Sequence, residues 1–155
     1  MADSIREKIM KNIKTVLQTI TVGNGYSNTI LSVQRFIQSG HKLLDVPVIL
    51  ISEGSETAED KAPNLTMKTL SVYLAVITRQ DETIDTRSGA EVMNSIVADV
   101  EKAMVADFTR GGNSIDTKII SSDPIDVQDG EPELGVLMQF EIIYRHGRTD
   151  PTSII

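Results

Sequence analysis

The spacing of apolar residues divides the chain into helical and extended stretches before any other property is considered. In "DSIREKIMKNIKTVLQTI" the residues Ile5, Ile9, Met10, Ile13, Val16, Leu17 and Ile20 recur at three- and four-residue intervals, which predicts an amphipathic helix with one buried stripe. Asp3 or Ser4 stands where an N-cap is needed. The opposite side carries Arg6, Lys8, Lys11 and Lys14 and reads as a solvated basic face. The same spacing returns in "RSGAEVMNSIVADVEKAMVADF", where Ser88 and Glu91 have the separation of a capping box. Its predicted buried stripe is Val92, Met93, Ile96, Val97, Val100, Met104 and Val105, so the two methionines read as core filler rather than ligands.

Period-two alternation marks the rest. The apolar, β-branched segments 29–37, 46–52 and 66–78 lie between the helices, and in the third Leu70, Val72, Leu74 and Val76 alternate with Thr69, Ser71, Tyr73, Ala75 and Ile77. Pro47 puts the middle segment at its start, or along its length, on a sheet edge. Segments 115–127, broken by Pro124, and 134–144 follow the second helix. In the last, Val136, Met138, Phe140, Ile142 and Tyr144 share one face, while Leu137, Gln139, Glu141, Ile143 and Arg145 share the other. The order helix, three strands, helix, two strands predicts an α+β fold. A mostly antiparallel, or mixed, sheet of about five strands would carry both amphipathic helices on one face.

Between these elements the residues are those of turns. Gly23-Asn24-Gly25 is a G-x-G, but it follows a helix where a nucleotide-binding glycine loop needs a preceding strand. Gly111-Gly112 reads as a helix C-terminal cap. Residues 53–64, "EGSETAEDKAPN", are polar, acidic and without periodicity, which predicts a long exposed loop. Glu53, Glu56, Glu59 and Asp60 lack the ordered spacing of a calcium loop, so no metal is assigned to them.

Composition narrows the function. The 155 residues suit one domain, and the absence of cysteine excludes disulfides, zinc-thiolate sites, iron-sulfur clusters and thiol nucleophiles. A formal net charge of -7 with no Lys/Arg run argues against nucleic-acid binding by charge attraction. No apolar run is long enough to span a bilayer, and the charged start "MADSIREKIMKNIK" lacks the apolar core of a signal peptide. Intracellular synthesis with no membrane partner is the expectation.

One short motif suggests catalysis. Arg145-His146-Gly147 resembles the phosphate-binding motif of histidine phosphatases and phosphoglycerate mutases, in which the His accepts a phosphoryl group. In that family the motif opens the chain, and the domain after it supplies a further Arg, an acid and a second His. Here only residues 148–155 follow, and the other histidine is His41, in a predicted loop. No nucleophile elbow, Walker loop or paired-His metal motif occurs. The acidic pairs Asp123 with Asp126 and Asp129 with Glu131 flank Pro or Gly and read as turn residues. Neither an active site nor a cofactor is expected.

A different likeness runs along nearly the whole chain. It is carried by the first helix leading into "NGYSNTILSVQR", then "VPVILISEGSE", "LSVYLAVITR", the second helix ending at "ADFTRGG", and "GVLMQFEIIYRHGRTDP". In this order of elements the chain resembles the tail terminator, or tail completion, proteins of long-tailed bacteriophages and related contractile particles. The resemblance implies a non-enzymatic virion protein, synthesised in the host cytoplasm, that forms a hexameric ring on the head-proximal end of the tail. It also implies partners: other copies of itself, the tail tube protein, and the connector protein of the neck. DNA would pass through the lumen without specific binding. Neck, connector and minor tail proteins of such particles share much of the pattern. The candidate contact residues are Glu53, Glu56, Glu59 and Asp60 in the acidic loop, and Arg145, His146, Arg148 and Asp150 in an exposed C-terminal arm, residues 145–155.

Overall fold

The computed structural model describes residues 2–35, 45–79, 88–125 and 133–155. The first predicted helix is α1, Ile5–Gln18, and it begins as its sequence requires: the Ser4 hydroxyl accepts the Glu7 amide at 3.1 Å. A single 3-10 turn, Val22–Asn24, leads through Gly25, whose φ of 90° is costly for residues with a Cβ, into β1, Ser32–Arg35. Strands β2, Val48–Ala62, and β3, Leu65–Arg79, form one long hairpin. Helix α2, Gly89–Ala106, opens on the capping box of Ser88 and Glu91, and β4, Asp116–Ile125, and β5, Glu133–Gly147, complete the fold.

The sheet order is β1-β2-β3-β5-β4, with β1 parallel to β2 and all other neighbours antiparallel. Both helices pack on one face, and the fold is the α+β layer that the element order predicts. Leu70, Val72, Leu74 and Val76 of β3 and Met138, Phe140, Ile142 and Tyr144 of β5 are buried against Ile9, Ile13 and Leu17 of α1 and Ile96, Val100 and Met104 of α2. Burial of each such side chain is worth about 1.5–3 kcal/mol, which makes this layer the main source of stability.

Three expectations change. Residues 53–62 are not a loop, because β2 continues through them and pairs with β3 as far as Ala62 opposite Leu65, leaving only Pro63 and Asn64 as the turn. Their alternation is hidden from a hydrophobicity pattern because this end of the hairpin is polar on both faces. Pro124 does not break β4, since a strand bonded to one neighbour only can hold a proline. On α2 the residue Val105 is 41% exposed and leaves the buried stripe, which Asp99 and Ala103 join. His41, Asp126, Asp129 and Glu131, and the strand positions expected at 36–37 and 126–127, lie outside the described residues.

A bulge in β2 between Glu53 and Glu56 explains one glycine. A Cβ on Gly54 would lie 2.5 Å from the Tyr73 ring and 3.1 Å from the Ser71 carbonyl, so the aromatic ring packs directly on bare backbone. Gly54→Ala is expected to lower stability by about 1–3 kcal/mol, the usual range for overpacking. A thermal midpoint equal to that of the parent chain would refute the packing argument.

Candidate functional site

Alternation along the hairpin decides what the predicted contact residues do. Glu53 lies opposite Val72, Glu56 opposite Leu70 and Asp60 opposite Thr66, so all three point to the helix side of the sheet. Glu59 lies opposite Met67 and points away from it. The carboxylates therefore divide between two faces.

On the helix side, cations meet the acids. The Arg6 guanidinium of α1 binds Glu53 at 3.0 Å and Glu56 at 3.6 Å, and Lys68 of β3 lies 3.5 Å from Glu56. Arg35 of β1 grips Glu7 with both terminal nitrogens, at 2.6 and 3.1 Å, and comes within 3.8 Å of Glu53. The Tyr144 hydroxyl donates to Glu56 at 2.6 Å. Burial and this bond to a carboxylate push the Tyr144 hydroxyl well above the usual phenol range. Burial opposes the charge on Arg6, but Glu53 and Glu56 outweigh it and raise the Arg6 pKa. Part of the basic face of α1 is thus docked on the acidic strand rather than solvated. The network ties α1, β1, β2, β3 and β5 together at the hairpin's root.

The C-terminal residues are likewise folded in rather than free. Arg145 and His146 belong to β5, and residues 148–153 turn back over the sheet end. The Arg148 amide donates to the Asn64 carbonyl at 2.9 Å, the Gly147 amide to Ser153 at 3.1 Å, and the Ile5 amide to Pro151 at 2.9 Å. That last bond satisfies an N–H at the start of α1 that has no intrahelical partner. The Arg148 guanidinium reaches Asp60 at 3.6 Å, so two predicted contact residues engage each other. Asp150 accepts from the Ser153 and Thr152 hydroxyls and the Thr152 amide, which hold its carboxyl at about 2.

His146 is 4% exposed, on the helix side beside Tyr144, while Arg145 is exposed on the opposite face. The His146 Nδ1 lies 2.7 Å from the Gly147 carbonyl, which can only accept, so this nitrogen carries the proton. Its Nε2 is buried without a partner. Arg145, His146 and Arg148 therefore do not converge on one phosphate. Among the described residues no three His, Asp or Glu side chains gather to hold a metal ion, and no helix is long and apolar enough to cross a membrane.

Two buried polar groups escape the sequence pattern. Asp99, 6% exposed on α2, accepts from the Ser27 amide at 3.2 Å and from the Asn28 amide and side chain at 2.9 Å each. Arg110, fully buried at φ 49°, folds back onto the Met104 and Asp107 carbonyls and so caps the end of α2. Burial lowers its pKa to about 10, against the pull of Asp107. Gly111 and Gly112 take up left-handed backbone in the turn that follows. The sequence signal for Asp99 was a single carboxylate lying among the apolar positions of the stripe.

No protein-family model matches this sequence, and no curated protein matches it. A functional reading therefore rests on the residues and their placement.

The acid response follows from the same contacts. The Arg35 fork lowers the Glu7 pKa, the Gly111 amide and Asn12 lower that of Asp107 against its burial, and Asp150 stands at about 2. Groups depressed in the folded state stabilise it above their unfolded values, near 4, and that contribution is lost as pH falls through the folded values. The urea midpoint is expected to be steady from pH 7 to 5 and to drop between about pH 4 and 2. A flat profile down to pH 2 would show that these contacts do not stabilise the fold.

Proposed function

We propose that the chain is a structural subunit of a long-tailed bacteriophage or related contractile particle, acting as a tail terminator. In this reading about six copies close a ring on the head-proximal end of the tail tube. The ring stops tube polymerisation and offers the neck its docking surface, and its partners are the tail tube protein and the connector. It belongs to the virion, and DNA slides through its lumen without specific binding.

The observation that supports the reading most is the outward side of β2. The four residues of β1 cover Val48 to Ile51, and among the described residues no strand pairs with the outer edge of 52–62. The opposite border of the sheet is β4, so the sheet has two unlike edges. Unpaired backbone at an edge can be completed by a neighbour, and joining unlike surfaces gives head-to-tail contacts that close into rings. An acidic subunit also suits a channel for DNA, since like charge discourages adhesion.

Light scattering on the chain, alone and with tube protein, tests this reading. A mass near six subunits in either sample supports it. A chain no larger than a dimer in both samples would refute it, and a closed ring of another number would point to a connector or minor tail protein.

A further inference from the structure

The face of the sheet turned away from the helices carries a second arrangement of charge. Strand register places Glu59, Met67 and Arg145 side by side in one row across β2, β3 and β5. Met67 is therefore flanked by a carboxylate and a guanidinium, each about 5 Å away across one strand spacing. Thr57, Thr69 and Ile143 form the next row on the same face. The Glu59 side chain is 67% exposed and meets Lys61, itself 46% exposed, at 2.9 Å, an exposed pair of small energy.

Arg145 stands apart from four other arginines. Arg6, Arg35 and Arg148 are ion-paired and Arg110 caps a helix, whereas no carboxylate among the described residues lies within ion-pair distance of Arg145. In a chain of net charge -7 this leaves a cation free for an external partner.

The order of charges says what that partner is. A uniformly acidic surface that fits Arg145 is repelled by Glu59, and a uniformly basic one is repelled by Arg145. The fitting surface carries both charges in the reverse order across one apolar side chain. A second copy does this by symmetry: a two-fold axis along β3, above Met67, sets the partner's Glu59 over Arg145 and its Arg145 over Glu59. Two sheets facing each other at about 10 Å leave room for these side chains to meet. We propose that this face is an isologous contact between two copies of the chain, with paired Met67 side chains at its centre and two reciprocal Glu59–Arg145 ion pairs around them. The contact is independent of the ring, whose head-to-tail contacts use other surfaces.

Charge reversal tests it. Sedimentation velocity of the full chain alone, over a range of concentrations, is expected to show a reversible doubling of mass. Arg145→Glu and Glu59→Arg should each weaken that step on the order of tenfold or more, and the double variant should restore most of it. Both side chains are exposed, so circular dichroism should show an unchanged fold. A parent chain that never doubles, single variants that double normally, or a double variant that stays as weak as the singles would each overturn the contact. A six-fold ring that persists in either single variant would leave the proposed function standing while the doubling decides this one.

Discussion

Alanine in place of Asp99 is expected to lower the unfolding free energy by about 3 kcal/mol, the scale of losing charge-assisted hydrogen bonds and leaving their donors buried. The carboxylate receives three N–H groups from Ser27 and Asn28, and two of these bonds are buried. It therefore holds the chain between α1 and β1 against α2, beside the weaker contacts of Asn28 with Ser95 and of Lys102 with the Tyr26 ring. For a domain of this size the thermal midpoint should fall by roughly 6–12 °C. Asp99→Asn keeps an acceptor and should cost less. Equal midpoints for the alanine variant and the parent chain would show that the turn at residues 26–28 is held by something else.

Removing residues 148–155 is expected to have a comparable effect, about 3 kcal/mol. The deletion strips backbone bonds that Asn64, Gly147 and Ile5 make with this segment, at about 1 kcal/mol each, and removes the ion partner of Asp60. It also uncovers the first turn of α1, whose amide at Ile5 then has only water. Chemical denaturation of the truncated chain measures this directly. A truncated chain as stable as the parent would show that the segment is the free arm its polar sequence suggests.

The layered core was legible because it obeys simple periods. Ser4, Ser88 and Glu91 act where their spacing put them, and Leu70 to Val76 and Met138 to Tyr144 bury the face that alternation selects. The burial of His146, expected in an exposed arm, follows the same alternation one step further, since it continues the Ile142 and Tyr144 face while Arg145 takes the other. The far half of β2 was not legible. Its hydrophobic period vanishes where both faces are polar, and its strand character depends on β3 residues that lie between 8 positions away, as Met67 opposite Glu59, and 19, as Val72 opposite Glu53. Nor do the acids of that strand announce their partners. Arg6 and Arg35 reach Glu53 only after α1 and β1 have packed, across separations that no local pattern encodes. Arg110 belongs to the same class, because its burial depends on the chain reversing at the end of α2.

Of the candidate contact residues, Glu53, Glu56, Asp60, His146, Arg148 and Asp150 have hydrogen-bond or ion-pair contacts within the chain itself. Glu59 and Arg145 remain directed outward, together with the outer edge of β2. The proposed assembly role rests on few side chains and on exposed backbone.

Negative-stain imaging of tail tube protein polymerised with and without this chain tests the central claim most directly. If the chain is a tail terminator, tubes stop growing when it is added, each bearing one ring of about six subunits at a single end. Tubes of unchanged length with bare ends, and a chain that stays monomeric beside them, would contradict it.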